Sequence, residues 1–172
     1  MRRLLRACRS IGRVRIYRAE ENNTVNTTAE RSAEELGRAY LTALQAKDKD
    51  AILALLAEDF ALEIPCNISG TNDFSDSWYG LEAAAKNYDL TFRTIDVLVY
   101  EGLDYTQGQD RNVAFAEGLG VMTMFNGNPY RNRYVFRFDA RGGKLTRIRE
   151  YLNPITSAIA LVGIRRCGRA SN

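Results

Sequence analysis

The chain has 172 residues, 45% of them hydrophobic and 26% charged, which suits one globular domain with its own core and is too short for two ordinary ones. It contains no histidine, so imidazole bases, Ser-His-Asp and Cys-His nucleophile systems and histidine-ligated metal sites are excluded. Of the 24 basic residues, seven arginines lie in an acid-free stretch of 19 residues at the N-terminus and three more (Arg165, Arg166, Arg169) at the other end, which leaves 14 basic and 21 acidic residues between 20 and 164.

The body is therefore acidic, and the excess positive charge sits in the terminal segments. A nucleic-acid partner is not expected from such a distribution. No apolar run approaches the roughly 20 residues of a membrane span, so no membrane partner is expected either. Residues 1–28 read as a basic, disordered leader. Their arginines also resemble an organelle transit peptide, which would imply mitochondrial import, but Ser10 is the one serine in the first 20 residues and such peptides are serine-rich. Cys8, Cys66 and Cys167 are too far apart for a metal knuckle. A sparse, odd count fits a reducing compartment, so the cytoplasm is the expected location. Cys66, following Pro65, is expected to be a buried spectator.

Ser32 and Glu35 have the spacing of a capping box, and Leu36, Tyr40 and Leu44 recur every four residues, so a helix is expected over about 30–46. Asp48 would cap a second helix with Ile52, Leu55 and Leu56 on its apolar face. Phe60, Leu62 and Ile64 then alternate with Ala61 and Glu63 as a strand does, and Pro65 ends it. A polar loop, 66–77, leads to a third helix bearing Leu81, Ala84, Ala85 and Tyr88, capped by Asp76 or Ser77. Four strands follow: 93–100, 112–123, 130–139 and 145–153. Asn126-Gly127 and Gly142-Gly143 supply two of the turns between them. Helices grouped before a run of strands imply an α+β fold, an antiparallel sheet on three helices, spanning 29–160 with a basic tail at 161–172.

The aromatic strand Tyr130-Arg-Asn-Arg-Tyr-Val-Phe-Arg-Phe and the segment Gly143-Lys-Leu-Thr-Arg-Ile-Arg-Glu-Tyr-Leu-Asn-Pro154 resemble the nuclear transport factor 2-like superfamily. Within it the chain is most similar to the SnoaL-like polyketide cyclases and the phenazine-biosynthesis A/B proteins. The resemblance implies a conical curved sheet, a cystatin-like barrel, with a pocket between sheet and helices. It implies a cofactor-independent isomerase, cyclase or dehydratase acting on a cyclic or polyketide-like metabolite, or else a non-catalytic binding or assembly module of the same fold. No metal or cofactor is expected. The phenazine proteins use a pocket glutamate in their Arg-Glu-aromatic-x-Asn segment as an acid-base group, and that position here is Glu150. Alternation puts Ile148, Glu150 and Leu152 on one face, and apolar neighbours raise a carboxylate pKa; the alternative is a glutamate paired with Arg131 or Arg133. Asn87 stands where the phenazine proteins have a histidine, and Gly118 and Gly120 where the limonene epoxide hydrolases have an Arg-x-Asp, so neither of those couples is complete.

Glu117 is a second expected inward carboxylate, flanked by Phe115 and Leu119. Tyr40, Asn87, Tyr130, Asn132 and Tyr134 are expected to bind the substrate, a flat oxygenated ring, with Trp78 at the pocket mouth where the third helix begins. The ligand would be a small apolar or aromatic metabolite. Arg131, Arg133, Arg137, Arg147 and Arg149 face outward, as a solvated surface or, as the resemblance implies, a homodimer interface.

Overall fold

A computed structural model describes residues 30–162; the basic leader, Cys8, Cys167 and all of the tail beyond Val162 lie outside the described residues. Helix α1 (Ala33–Gln45) begins with the expected capping box: the main-chain N–H of Glu35 donates to Ser32 Oγ (3.2 Å), and that of Ser32 donates to Glu35 Oε2 (2.7 Å). Asp48 caps α2 (Lys49–Leu55) through its bond from the Ala51 N–H, 2.9 Å. Between them Lys47 adopts φ 54°, and its Nζ donates to the carbonyls of Ile95 (2.6 Å) and Asp96 (2.8 Å). A lysine thus holds the turn in the left-handed region that glycine would occupy more cheaply.

Strand β1 (Leu56–Ile64) starts directly at the end of α2. Strand β2 (Asp76–Tyr79) pairs with it antiparallel, Leu62 opposite Trp78. This strand occupies residues expected to be loop and helix cap. Helix α3 (Leu81–Thr94) is instead capped at Gly80, φ 81°, without a side-chain bond. Strands β3 (Ile95–Gln107), β4 (Val113–Met124), β5 (Pro129–Arg141) and β6 (Lys144–Leu152) form an antiparallel meander. Helix α4 (Pro154–Val162), which falls where only strand end and tail were expected, is capped by Asn153 Oδ1, the acceptor from the N–H groups of Ile155 (3.0 Å) and Thr156 (3.3 Å).

The six strands lie in the order β2-β1-β6-β5-β4-β3, in a curved, unclosed sheet that confirms the α+β class. One pair departs from the expected antiparallel arrangement: β1 runs parallel to β6, with Leu62 beside Ile148 and Glu63 beside Arg149. Hairpin turns impose antiparallel pairing only on strands adjacent in sequence, and β1 and β6 are joined through most of the domain.

Packing against α1 decides which face of the sheet is concave. Tyr134, Phe136 and Phe138 stack along β5 with centroids 5.4 and 6.0 Å apart, all buried. Directly across, β4 presents Gly118, Ala116 and Ala114. A β-carbon on Gly37 of α1 would come within 2.6 Å of the Phe138 ring, and one on Gly120 within 2.6 Å of Tyr134. From Ala114 to Gly120 the inward residues of β4 are therefore small, because the aromatic wall of β5 and α1 fills the space above them. This corrects the expectation for Glu117: with Phe115 and Leu119 it belongs to the outer face, and it is exposed. Among the described residues no helix is long and apolar enough to cross a membrane.

Candidate active site

Between the concave face and helices α1, α3 and α4 lies a cavity of about 300 Å³. Each element contributes through the face its periodicity turns inward. Helix α1 gives Tyr40 and Leu44; α3 gives Asn87, Tyr88, Thr91 and Thr94, spaced as one helical stripe. Trp78 enters from β2 because its cross-strand partner Leu62 faces inward. Tyr100 and Leu98 come from β3, Met122 and Met124 from β4, Tyr130 and Tyr134 from β5, Glu150 and Leu152 from β6. Thus Glu150, Tyr40, Trp78, Asn87, Tyr130 and Tyr134 share one cavity, whereas Glu117 and Asn132 do not line it.

Among the described residues two acids line the cavity: Glu150, from β6, and Asp76, from β2. Glu150 sits opposite the buried Phe136 and makes no hydrogen bond or ion pair with any described residue. Arg131 and Arg133 alternate to the other face and are exposed, so the ion-paired alternative is not what the structure contains. No fully buried side-chain oxygen lacks a partner among the described residues, so the Glu150 carboxyl opens onto the cavity and is not sealed in the core. Its surroundings are protein all the same, and burial pushes the carboxyl from an ordinary 4.5 to about 7.

Phenols ring this carboxyl. Burial is the largest cause holding Tyr40, Tyr88, Tyr100 and Tyr134 above the usual phenol range, and the charge of Glu150 adds to each. All four stay protonated at neutral pH. Where their protons go can be worked out bond by bond. The Asn153 N–H donates to Asn132 Oδ1 (3.1 Å), which leaves Asn132 Nδ2 as the donor to Tyr130 Oη (3.0 Å) and to the Asn153 carbonyl (2.9 Å). Tyr134 Oη donates to the same Tyr130 oxygen (2.9 Å). Both acceptor sites of Tyr130 are then occupied, and its own proton has no acceptor among the described residues. It is left for a ligand in the cavity. Likewise Tyr88 donates to Tyr40 (3.2 Å), freeing the Tyr40 proton. The expected contact role of Asn132 becomes a positioning one: buried and saturated, it aims Tyr130 and ties β5 to the start of α4.

Reasoning from sequence missed Tyr100, Thr91, Thr94 and the α4 wall. The α3 residues carried a signal, a polar i, i+4, i+7 stripe beginning at Asn87. The α4 wall carried another, Asn153-Pro154 ahead of an apolar run. The lining of this cavity includes no lysine or arginine among the described residues. Cys66, expected to be buried, is a half-buried free thiol beyond the cavity, past the end of β1.

Residues 37–148 match a family model described as "SnoaL-like domain". Compared by sequence with curated proteins, the chain matches none. Among solved structures it is similar to a Pseudomonas putida protein provisionally named a polyketide cyclase, at 24% identity and TM-score 0.66, covering 76% of this chain and 98% of that one. It is also similar to a phenazine biosynthesis-related protein of Pseudomonas aeruginosa (19% identity, TM-score 0.63, 80% and 90% covered). A third likeness is to a Mycobacterium tuberculosis protein solved in complex with estradiol-17β-hemisuccinate (22% identity, TM-score 0.62, 73% and 98% covered).

Proposed function

The chain belongs to the SnoaL-like family, and we propose that it is a cofactor-independent isomerase, cyclase or dehydratase of a cyclic or polyketide-like metabolite, with Glu150 as the proton shuttle. One observation carries this reading: a carboxyl with no cation partner among the described residues faces an apolar cavity whose phenols hold protons ready for an oxygen. In the isomerisation form, the Glu150 carboxylate takes the proton from the carbon beside a ring carbonyl. The C–H pair becomes the enolate double bond, and negative charge moves to the carbonyl oxygen, where Tyr130 donates. Glu150 then returns the same proton to a conjugated carbon. No atom or electron is gained or lost overall, so the chemistry needs only a proton carrier and a donor. The raised carboxyl suits both halves, since a base near neutral pH is also a usable acid.

The test is exchange of the α-hydrogens of a bicyclic aryl ketone such as α-tetralone into deuterated water. Wild type is expected to accelerate exchange, with a rate that climbs as pH passes about 7 and Glu150 ionises. Glu150→Gln should lower the rate roughly a hundredfold or more. Equal rates in the two proteins would leave the fold as a binding module.

The outer face supports a homodimer. Val97, Val99, Phe115, Val135 and Tyr151 are 37–47% exposed there, interleaved with Arg131 and Arg133, a mixture of aromatic, aliphatic and arginine residues typical of interfaces. Cytoplasmic placement belongs to the same reading, resting on the sparse cysteines.

A further inference from the structure

A second cavity, of about 560 Å³, lies beyond the first, beneath the 66–75 segment and α4. The two are not separate features. Ile64, Asp76, Leu152, Ser157 and Leu161 line both, so the two chambers adjoin across these five side chains. The polar side chains of the 66–75 segment are largely spent on one another: Asn67 Oδ1 accepts from the Ser69 N–H (2.9 Å), and Thr71 Oγ1 donates to Asp73 (2.9 Å). That leaves Ile64, Cys66, Ile68, Phe74, Leu152 and Leu161 as the apolar wall of the outer chamber. Ile68 and Leu161 are more than half exposed, an exposure that a chain lying between them would remove. Among the described residues neither chamber is lined by lysine or arginine, and each includes Asp76. Among the described residues, Arg149 stands against Phe74 of that chamber's wall, 5.9 Å from its ring, and is already bound to Glu63 at 2.6 Å.

We propose that the ligand of this protein is elongated and carries no acidic group, its oxygenated ring among the phenols and Glu150 and an apolar chain in the outer chamber. This rests on the reading of the inner cavity given above and adds the other half of the substrate to it. The inner volume is at the low end for a ligand pocket, and the shared wall gives the ring only one direction in which to be extended. A carboxylate on that extension would meet Asp73 and Asp76, with no lysine or arginine among the described lining residues to neutralise it.

The experiment is calorimetric titration of the full chain with phenols bearing para-ethyl, para-butyl and para-octyl chains, and with the octyl compound ending in a carboxylate. Affinity is expected to rise up to roughly fourfold per added methylene, and the carboxylate should lose at least tenfold. Ala158→Trp and Cys66→Trp each place a large ring in the outer chamber alone, from α4 and from the end of β1. Either should flatten the chain-length series while leaving the ethyl compound as in wild type. A flat series in wild type, a carboxylate bound as well as the octyl compound, or equal weakening of short and long ligands by both variants would overturn the proposal. Its failure is separable from that of the catalytic reading. A steep series without Glu150-dependent exchange would sink the catalytic reading alone, and a flat series with exchange intact would sink this one alone.

Discussion

Carboxylates on opposite faces of the same sheet are treated in opposite ways. On the convex side Glu63, 6% exposed, is bound by Arg149 at 2.6 Å, and Asp139 lies between Arg137 and Arg147, both at 2.8 Å. On the concave side the residue after Arg149 is Glu150, which has no cation and no hydrogen bond among the described residues. One step along β6 therefore separates the arginine that compensates an outer acid from an inner acid without a cation among the described residues. Where stability alone is at issue the fold supplies a partner; where it supplies none, the cost of an isolated buried carboxyl is sustained in a cavity that can receive a ligand.

The largest expected effect comes from removing that inner cost. The Glu150 carboxyl ionises near pH 7 in the folded protein against an ordinary 4.5, so the folded state holds its proton more tightly than the unfolded chain does. Below about pH 4.5 the neutral acid carries no charge penalty, and stability is lost as pH rises through 7. Glu150→Gln is neutral throughout. By urea unfolding it should match wild type near pH ~4 and exceed it by about 3 kcal/mol at pH ~9. A gap that widened toward acid would mean that the carboxylate has a stabilising partner, and the contrast between the faces would collapse.

The outer acid should respond with the opposite sign. Glu63→Gln leaves the Arg149 guanidinium without its carboxylate beneath Phe74, 5.9 Å from that ring. Breaking a fully buried pair costs about 3–5 kcal/mol. Arg149 keeps 26% of its side chain exposed, so a loss of about 2 kcal/mol at pH 7 is expected, with exchange activity unchanged.

The same contrast can be sharpened along β4. Gly120 faces inward, with the Tyr134 ring 2.6 Å from where a β-carbon would stand. Gly120→Ala should therefore cost about 1–2 kcal/mol. Because it displaces Tyr134, which donates to Tyr130, it should also weaken binding of a para-alkylphenol. Glu117→Ala, three residues earlier on the exposed face, should stay within about 0.5 kcal/mol and leave binding unaltered.

That pair of residues also shows how far the fold was legible in the sequence. Alternation is symmetric: it separates two faces of a strand without saying which is buried. On β5 and β6 the answer was plain, because aromatic or aliphatic residues alternate with arginines. On β4 the large set contained Phe115, Leu119 and Val121 and looked like core, yet the buried set is Ala114, Ala116 and Gly120, continued by Met122 and Met124. What decides it is the volume of Phe136, Phe138 and Tyr134 on the neighbouring strand, a tertiary fact that β4 does not carry by itself. Glu150 was legible because its own strand names its face. Asn132 was half-legible: its burial followed from alternation, but its hydrogen bonds to Asn153 depend on a corner that only the helix α4 creates. Strand β2 was missed because four residues paired to one neighbour leave almost no periodic trace.

The smallest expected effect lies at Asp139. Burial alone would raise its carboxyl, but the hydrogen bonds from Arg137 and Arg147 outweigh burial and hold it below the usual carboxylate range. Its contribution to stability is therefore complete above the unfolded-state value near 3.8 and is lost as pH falls through the lower folded value. Both arginines are about a third exposed, so screening by water limits the whole arrangement to about 1 kcal/mol. Asp139→Asn should cost that amount at pH 7, less at high salt, and nothing once pH has fallen below the lowered folded-state value. Measured beside Glu150→Gln, the two substitutions should bend the pH–stability curve at opposite ends, the outer acid on its acidic limb below about 3.8 and the inner acid over the rise from about 4.5 to about 7. If both bent it at the same end, the sheet would not be dividing its carboxylates into paired and unpaired faces, and the case for Glu150 as a proton carrier would lose its physical basis.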